Sequence, residues 1–234
     1  MSLAAVLEKI PPHVTLVAAV KYAPDADAVR SLVENGVRAI GENRVQDAEN
    51  HFATPFPSGF PIFEKHFIGT VQSNKIGKIA RLFDVVQSLD SLEHAEKLDR
   101  AAAKEKPVKI LRVLVQINAG SEEQKGGLPP DKEKVSTFLF ALKPFKHLKP
   151  EGLMVVVPLE GDSRPYFKKA KILFDSLKTE FGLSVLSMGT SDDFETAIQE
   201  GATMVRIGRM LFEPDERGEL SGALRISEKT LAKD

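Results

Sequence analysis

The amino-acid sequence predicts an α/β fold, a single (β/α)8 TIM barrel that extends over residues 1–234. Apolar runs with the length of strands alternate with segments of helical periodicity along the chain, and such alternation indicates a parallel sheet. Eight strand–helix units in 234 residues fit a closed barrel better than an open doubly wound sheet. The open sheet is the alternative, because strand counts based on sequence are inexact.

The strands are predicted from runs rich in β-branched and apolar residues, at 14–21, 37–42, 65–69, 84–88, 109–118, 153–157, 183–187 and 203–207. Helical spacing of apolar residues predicts helices at 25–35, 43–52, 74–83, 91–104, 131–142, 164–181 and 192–200. Gly36 and Gly201 follow two of these helices, in the position where glycine commonly ends a helix. No linker or internal repeat divides the sequence, so we expect one domain.

The composition argues against several classes of function. The chain has no cysteine, which excludes disulfides, thiolate metal sites and cysteine nucleophiles. A formal net charge of −1 gives no basic footprint for nucleic acid, and the five histidines lack the spacing of metal ligands. No apolar run reaches the ~18 residues that span a bilayer, and the first residues do not resemble a signal peptide. We therefore expect a cytoplasmic protein that binds no nucleic acid, membrane or metal.

Lys21 stands at the C-terminal end of the first predicted strand. Since side chains alternate along a strand, Lys21 shares a face with Val17 and Ala19, while Leu16 and Ala18 face the helices. Active sites of barrels lie at the mouth formed by the strand C-termini. Partial desolvation there would favour the neutral amine, which is the form that attacks an aldehyde. The alternative is a lysine that extends into solvent, and position alone favours it.

The segment LSMGTSDDFETAI at 183–197 combines a strand, a glycine turn, two hydroxyls and a helix. Gly189 allows a tight turn, and Thr190 and Ser191 are predicted to stand at a helix start with free N–H groups, where anions bind. Ordinary N-capping by Ser or Thr explains the same residues equally well.

The last strand segment, ATMVRIGRM at 202–210, places Arg206 inside an apolar run, two residues before Gly208. A charge in such a strand needs a partner, and a glycine at the strand exit lets a ligand approach the backbone. Phosphate sites of barrels often use the loops after strands seven and eight, and these two segments are those loops. Their coincidence with Lys21 at a strand end favours a ligand site over an incidental lysine.

Longer stretches of the sequence are similar to one known family. GEN (41–43), HFIGTVQSNK (66–75), LVQINAGSEEQKGGL (114–128), EGLMVV (151–156) and SMGTSDDFETAIQEGATMVRIGRMLF (187–212), with the strand that ends in Lys21, resemble the YggS/PROSC family of pyridoxal phosphate homeostasis proteins. The similarity extends over about residues 14–212. It implies the barrel fold of the N-terminal domain of alanine racemase.

The resemblance implies that the cofactor is pyridoxal 5′-phosphate, held as a Schiff base on Lys21. It also implies that Arg206 faces the pyridine nitrogen and that Asn43 lies near the cofactor ring, although the local sequence favours Asn43 as a helix cap. The phosphate would be held by the loops after strands seven and eight, at Gly189, Thr190, Ser191, Ile207 and Gly208. The sequence departs from the family pattern at Val20, Arg44, Thr190 and Glu213, where Ser, Tyr, Met and Gly are usual.

The function implied by the resemblance is pyridoxal phosphate homeostasis and the balance of amino and keto acids, without an established catalytic turnover. Free amino acids are expected as further partners, and the protein is expected to be a monomer. A small pyridoxal-phosphate-dependent amino-acid racemase is the alternative, and an interaction barrel without cofactor is a third hypothesis. Racemisation requires acid/base groups on both faces of the cofactor. The chain is expected to lack room for a second domain, and the strand map places neither Tyr22 nor Tyr166 well for this proton transfer.

Overall fold

Eight parallel strands form a closed barrel in the order of the sequence, and the last strand pairs with the first. The computed structural model describes residues 3–52, 59–120, 122 and 124–212. The strands are β1 (Thr15–Ala19), β2 (Ala39–Glu42), β3 (Glu64–Phe67), β4 (Val85–Leu89), β5 (Leu111–Asn118), β6 (Leu148–Val156), β7 (Val185–Ser187) and β8 (Met204–Ile207). The predicted (β/α)8 barrel is therefore confirmed.

The helices surround the barrel. They are α1 (Leu3–Glu8), α2 (Ala26–Glu34), α3 (Val45–His51), α4 (Ile76–Leu82), α5 (Leu92–Ala102), α6 (Lys132–Leu142), α7 (Arg164–Phe181) and α8 (Phe194–Gln199). Short 3-10 turns precede α4 at Ser73–Lys75 and follow β8 at Arg209–Leu211. Serine and aspartate side chains cap several helices: Asp25, Ser91 and Asp131 each accept a backbone N–H of the first turn.

Two apolar layers hold this arrangement together. The smaller one fills the barrel interior, and it consists of Val17, Ala39, Val85, Leu114, Met154 and Met204. The larger one lies between the strands and the helices, and it includes Leu16, Ala18 and Val20 of the first strand segment. The alternation predicted for this segment is therefore correct, because Val17 points inward while its neighbours face the helices.

Several predicted boundaries differ from the structure. Strand β6 begins at Leu148 rather than at residue 153, because Leu148–Pro150 pair with Leu111–Val113 of β5 before a register shift. Its polar residues Lys149 and Glu151 hide this part of the strand from a search for apolar runs. Helix α8 begins at Phe194 rather than at 192, since Asp193 takes the N-cap position.

Candidate functional site

The candidate site lies where β1 and β8 end side by side. Val17 and Ala18 pair with Arg206 and Ile207, so the residues that follow both strands emerge together at the mouth. Gly208 is buried there, and a Cβ built on it would lie 3.1 Å from the carbonyl oxygen of Ala19. Closure of the barrel through the β1–β8 pairing thus brings the loop after β8 against the turn that contains residue 21.

Lys21 lies in this turn, two residues beyond the end of β1. Its side chain is exposed, and Nζ stands 4.7 Å from the centroid of the Tyr22 ring. The expected partial desolvation of the amine is therefore wrong for this structure, because the turn carries Lys21 out of the strand. Tyr22 also lies at the mouth, since a Cβ on Gly208 would lie 3.7 Å from the Tyr22 ring.

The loops after β7 and β8 meet at Ser191. The backbone N–H of Gly208 donates to Ser191 Oγ over 3.4 Å, which is a long contact that leaves the serine hydroxyl hydrogen free to donate elsewhere. Gly189 shapes the approach with a φ of 93°, and a Cβ on it would lie 2.5 Å from the Cβ of Ala197 on α8. Only glycine fits at position 189, because both the backbone angle and the packing exclude a side chain.

Thr190 does not offer a free helix start, contrary to the sequence-based expectation. Asp193 accepts both its N–H, at 2.7 Å, and its hydroxyl, at 3.2 Å. Helix α8 starts only at Phe194 and has six residues. The groups that this loop presents at the mouth are therefore the Ser191 hydroxyl and the neighbouring Gly208 N–H rather than a helix terminus.

Arg206 points into the upper barrel and is held by uncharged acceptors. One terminal nitrogen donates to the carbonyl oxygen of Ser187 at 3.0 Å and to its hydroxyl at 2.8 Å, and the other donates to Val155 O at 3.0 Å. Burial lowers the pKa of Arg206 to about 10, so the guanidinium is charged at neutral pH. In the part of the chain that the structure describes, no carboxylate pairs with it. The nearby charge of Asp193 acts on Arg206 without a hydrogen bond between them among the described residues, so the half-buried guanidinium can still interact with an anionic or electron-rich ligand.

Asn43 follows β2 and does not cap α3, because Arg44 occupies the N-cap position and makes no side-chain cap. Asn43 and Arg44 line a polar cleft of about 620 Å³, together with Thr70 and Lys75. The backbone of Asn43 is fixed by Gly69, where an added Cβ would lie 1.9 Å from the Asn43 carbonyl oxygen. The side-chain amide of Asn43 is exposed and therefore accessible to a ligand at the mouth.

Three of the four departures from the family pattern lie in the described part of the structure. Val20 is buried in the outer apolar layer. Arg44 is exposed at the rim of the cleft, and Thr190 bonds to Asp193 as described above. Glu213 lies outside the described residues.

A buried ion pair behind Asn43 was not predicted from the sequence. Glu42 of β2 is fully buried, and its Oε1 stands 2.5 Å from Nδ1 of His51 on α3. Burial raises the pKa of Glu42, and the hydrogen bond to Glu42 raises the pKa of His51. The second carboxylate oxygen has no hydrogen-bond partner within the described ranges. The sequence of β2, AIGE, contains Glu42, but no pattern in it indicates that His51, nine residues later, is its partner.

Polar side chains also occupy the barrel interior, on His66, Gln87 and Ser187, all fully buried. The sequence predicts no role for them, because no spacing pattern connects the three residues. Among residues 3–52, 59–120, 122 and 124–212, no group of three or more His, Asp or Glu is arranged to hold a metal ion. None of the helices described is long and apolar enough to cross a membrane.

The fold is a (β/α)8 barrel in which a lysine, an arginine and the loops after strands seven and eight lie together at the mouth. Residues 3–215 match the family model described as alanine racemase, N-terminal domain. A pyridoxal phosphate homeostasis protein of Aquifex aeolicus is 38% identical over 192 residues, which cover 80% of this chain and 81% of the relative. The chain therefore belongs to the alanine racemase N-terminal domain family, within its YggS-type pyridoxal phosphate homeostasis proteins.

Solved structures support the same relationship. PipY of Synechococcus elongatus PCC7942, solved with PLP bound, is 32% identical with a TM-score of 0.78, covering 90% of this chain and 98% of PipY. Alanine racemase of Clostridium difficile 630 is 18% identical with a TM-score of 0.71, over 93% of this chain and 59% of the racemase. At that identity the racemase shares the fold, and its catalytic properties do not transfer.

Proposed function

We propose that this protein binds pyridoxal 5′-phosphate at the barrel mouth through a Schiff base on Lys21 and serves in homeostasis of that cofactor. One observation carries the proposal: barrel closure brings together an exposed lysine amine, the Ser191–Gly208 contact and the desolvated Arg206 guanidinium. The structure of PipY with PLP bound and the names of the relatives support the proposal.

The residues at the mouth fit the three parts of this cofactor. The Ser191 hydroxyl and the Gly208 N–H suit the phosphate, with Gly189, Thr190 and Ile207 shaping the loops around them. Arg206 can donate to the pyridine nitrogen, and the exposed amide of Asn43 can bond at the edge of the ring. When bound, the cofactor supplies an aldehyde that forms a reversible imine with a primary amine.

Phosphate contacts are expected to dominate the affinity, because hydrogen bonds to an anion are stronger than neutral ones. Pyridoxal should therefore bind much more weakly than pyridoxal phosphate when the cofactor-free protein is titrated and Schiff-base absorbance is followed. Replacement of Ser191 by alanine should weaken binding of the phosphate form by about 1–2 kcal/mol, the scale of one lost hydrogen bond.

Ser176→Ala is the matched control, since the Ser176 hydroxyl donates within α7, to the carbonyl oxygen of Leu173. Its affinity should equal that of the unmodified protein. Equal affinities for pyridoxal and pyridoxal phosphate would refute the assignment of the phosphate to these loops. We also expect a monomer with one equivalent of cofactor, measured by light scattering and absorbance.

Free amino acids are proposed as exchange partners rather than as substrates for racemisation. Racemisation needs proton transfer on both faces of the cofactor. Tyr22 lies at the mouth, yet its ring stacks on Lys21, so the two candidate groups for proton transfer stand together rather than opposite one another. The geometry therefore favours a carrier over a racemase.

We expect no α-proton exchange at an enzymatic rate. L-Alanine and other amino acids would be incubated with the loaded protein in deuterium oxide and followed by NMR, with Tyr22→Phe run in parallel. Spectral change without exchange is the expected result, because amino acids can reach an exposed Lys21. Exchange with chiral inversion at roughly 1–10³ per second would make the protein an enzyme. Loss of that activity in Tyr22→Phe would then identify the base.

A further inference from the structure

A chain of hydrogen bonds descends from Arg206 through the middle of the barrel. Arg206 donates to Ser187 Oγ at 2.8 Å, and this hydroxyl donates to Gln87 Oε1 at 2.7 Å. Gln87 Nε2 stands 2.9 Å from Nδ1 of His66, and His66 Nε2 stands 3.2 Å from Glu64 Oε2. The chain links strands β8, β7, β4 and β3, which lie on different sides of the barrel.

The residues at the Glu64 end determine which atom donates in each hydrogen bond of this series. Arg112 stands 2.8 Å from Glu64, and the hydrogen bond with His66 holds the pKa of Glu64 below its ordinary value. An ionised carboxylate accepts hydrogen bonds only, so His66 Nε2 carries a proton and donates to it. The amide nitrogen of Gln87 can only donate, so Nδ1 of His66 accepts from it, and Gln87 Oε1 faces Ser187. Every donor in the chain therefore points away from Arg206.

Buried polar side chains such as His66, Gln87 and Ser187 are unusual in the interior of a barrel. Bulky aliphatic side chains normally occupy the interior, as Val17, Leu114 and Met204 do here. Burial of polar groups costs free energy unless every group is paired, and each link of this chain depends on the next one. Aliphatic residues of similar volume would fill the same space without that requirement, so packing alone does not account for His66, Gln87 and Ser187.

We propose that Ser187, Gln87 and His66 are positioning residues that fix the plane and the donor directions of the Arg206 guanidinium. The chain orients the Ser187 hydroxyl so that its oxygen is an acceptor for Arg206. Three of the five N–H groups of Arg206 are committed to Ser187 and Val155, which leaves two for a ligand in a defined direction. For the ligand itself, this inference rests on the proposed function.

The test uses the full chain and two readouts. In the cofactor-free protein, exchange of the Arg206 Nη–H groups with water is measured by ¹⁵N NMR, with Arg206→Lys to assign the signals. In the loaded protein, the ¹⁵N shift of cofactor labelled at the pyridine nitrogen reports the contact of the ring with Arg206. The variants are Ser187→Ala, the conservative Ser187→Thr and Gln87→Leu, and the control is Val85→Ala, which removes apolar volume from the same interior.

Ser187→Ala and Gln87→Leu should each speed exchange about tenfold, the loss expected for a hydrogen bond to a charged group, and should shift the ring nitrogen signal. Ser187→Thr keeps the hydroxyl and should restore both readouts toward those of the unmodified protein. Results indistinguishable from Val85→Ala would overturn the positioning role. If the unmodified protein forms no Schiff base, the proposed function fails, while the exchange measurement still decides the positioning role.

Discussion

Replacement of Lys21 by alanine is expected to abolish the stable adduct with pyridoxal 5′-phosphate. The amine of Lys21 lies at the mouth, in the turn beside Gly208, while Ser191 stands across that glycine at the candidate phosphate loops. Without that amine, the phosphate loops can still hold the cofactor, but no covalent bond forms. Absorbance of the protein after incubation with cofactor, before and after borohydride reduction, measures the loss directly.

Lys75 provides the control for this experiment. It lines the polar cleft beside Asn43, so its amine is near the mouth without lying in the Lys21 turn. Lys75→Ala should keep the absorption band and its sensitivity to borohydride. Peptide mapping of the reduced protein should find the pyridoxyl group on Lys21. A label on Lys75 instead, or an unchanged adduct in Lys21→Ala, would show that the assigned lysine is wrong.

His51→Gln is expected to produce the largest loss of stability, about 3–5 kcal/mol in the free energy of unfolding. The substitution removes the partner of Glu42, which is fully buried and already has one oxygen without a hydrogen bond in the described structure. An uncompensated buried carboxylate is costly, whereas loss of both charges leaves none to compensate. Chemical denaturation of the two proteins at one pH measures the difference.

The double variant Glu42→Gln/His51→Gln separates the ion pair from general packing. It should be more stable than His51→Gln alone, because no buried charge is left unpaired. A double variant that is less stable than the single one would instead show that the two side chains act mainly by filling space.

The same pair predicts a pH dependence. Because Glu42 raises the folded-state pKa of His51 above its ordinary value of 6.5, protonated His51 stabilises the fold. This contribution is fully present below pH 6.5 and is lost as the pH rises through the folded-state pKa. In the double variant, that part of the decline should disappear from the pH profile of the unfolding free energy.

Much of the fold follows from local patterns in the sequence. The alternation in 14–20 identifies the inward face of β1, since Val17 packs in the interior while Leu16 and Ala18 face the helices. Closure of the barrel follows from the count of strand–helix units in a chain of this length. The early start of β6 does not, because the polar Lys149 joins the strand through pairing with Arg112 of β5, and Glu151 is skipped at the register shift that follows.

The candidate site could be predicted only in part. Its two loops follow recognisable strand ends, which is why Ser191 and Gly208 stand out in the sequence. The capping of Thr190 by Asp193 and the contact of Tyr22 with Lys21 depend on backbone angles in turns that carry no periodic signal. Links such as Ser187 to Gln87 join residues 100 positions apart, and they exist only once the barrel has closed.

Because the first strand, β1, pairs with the last, β8, the site is complete only after the barrel has closed. Contacts between segments so distant in sequence form slowly, since loop-closure entropy opposes them until the intervening strands have assembled. A partly assembled chain therefore presents Lys21 without Arg206 or Gly208 beside it. A ligand that touches both strands binds the closed barrel alone, so its free concentration shifts the balance between closed and open chains. The abundance of intact protein thereby becomes coupled to the supply of the molecule it holds.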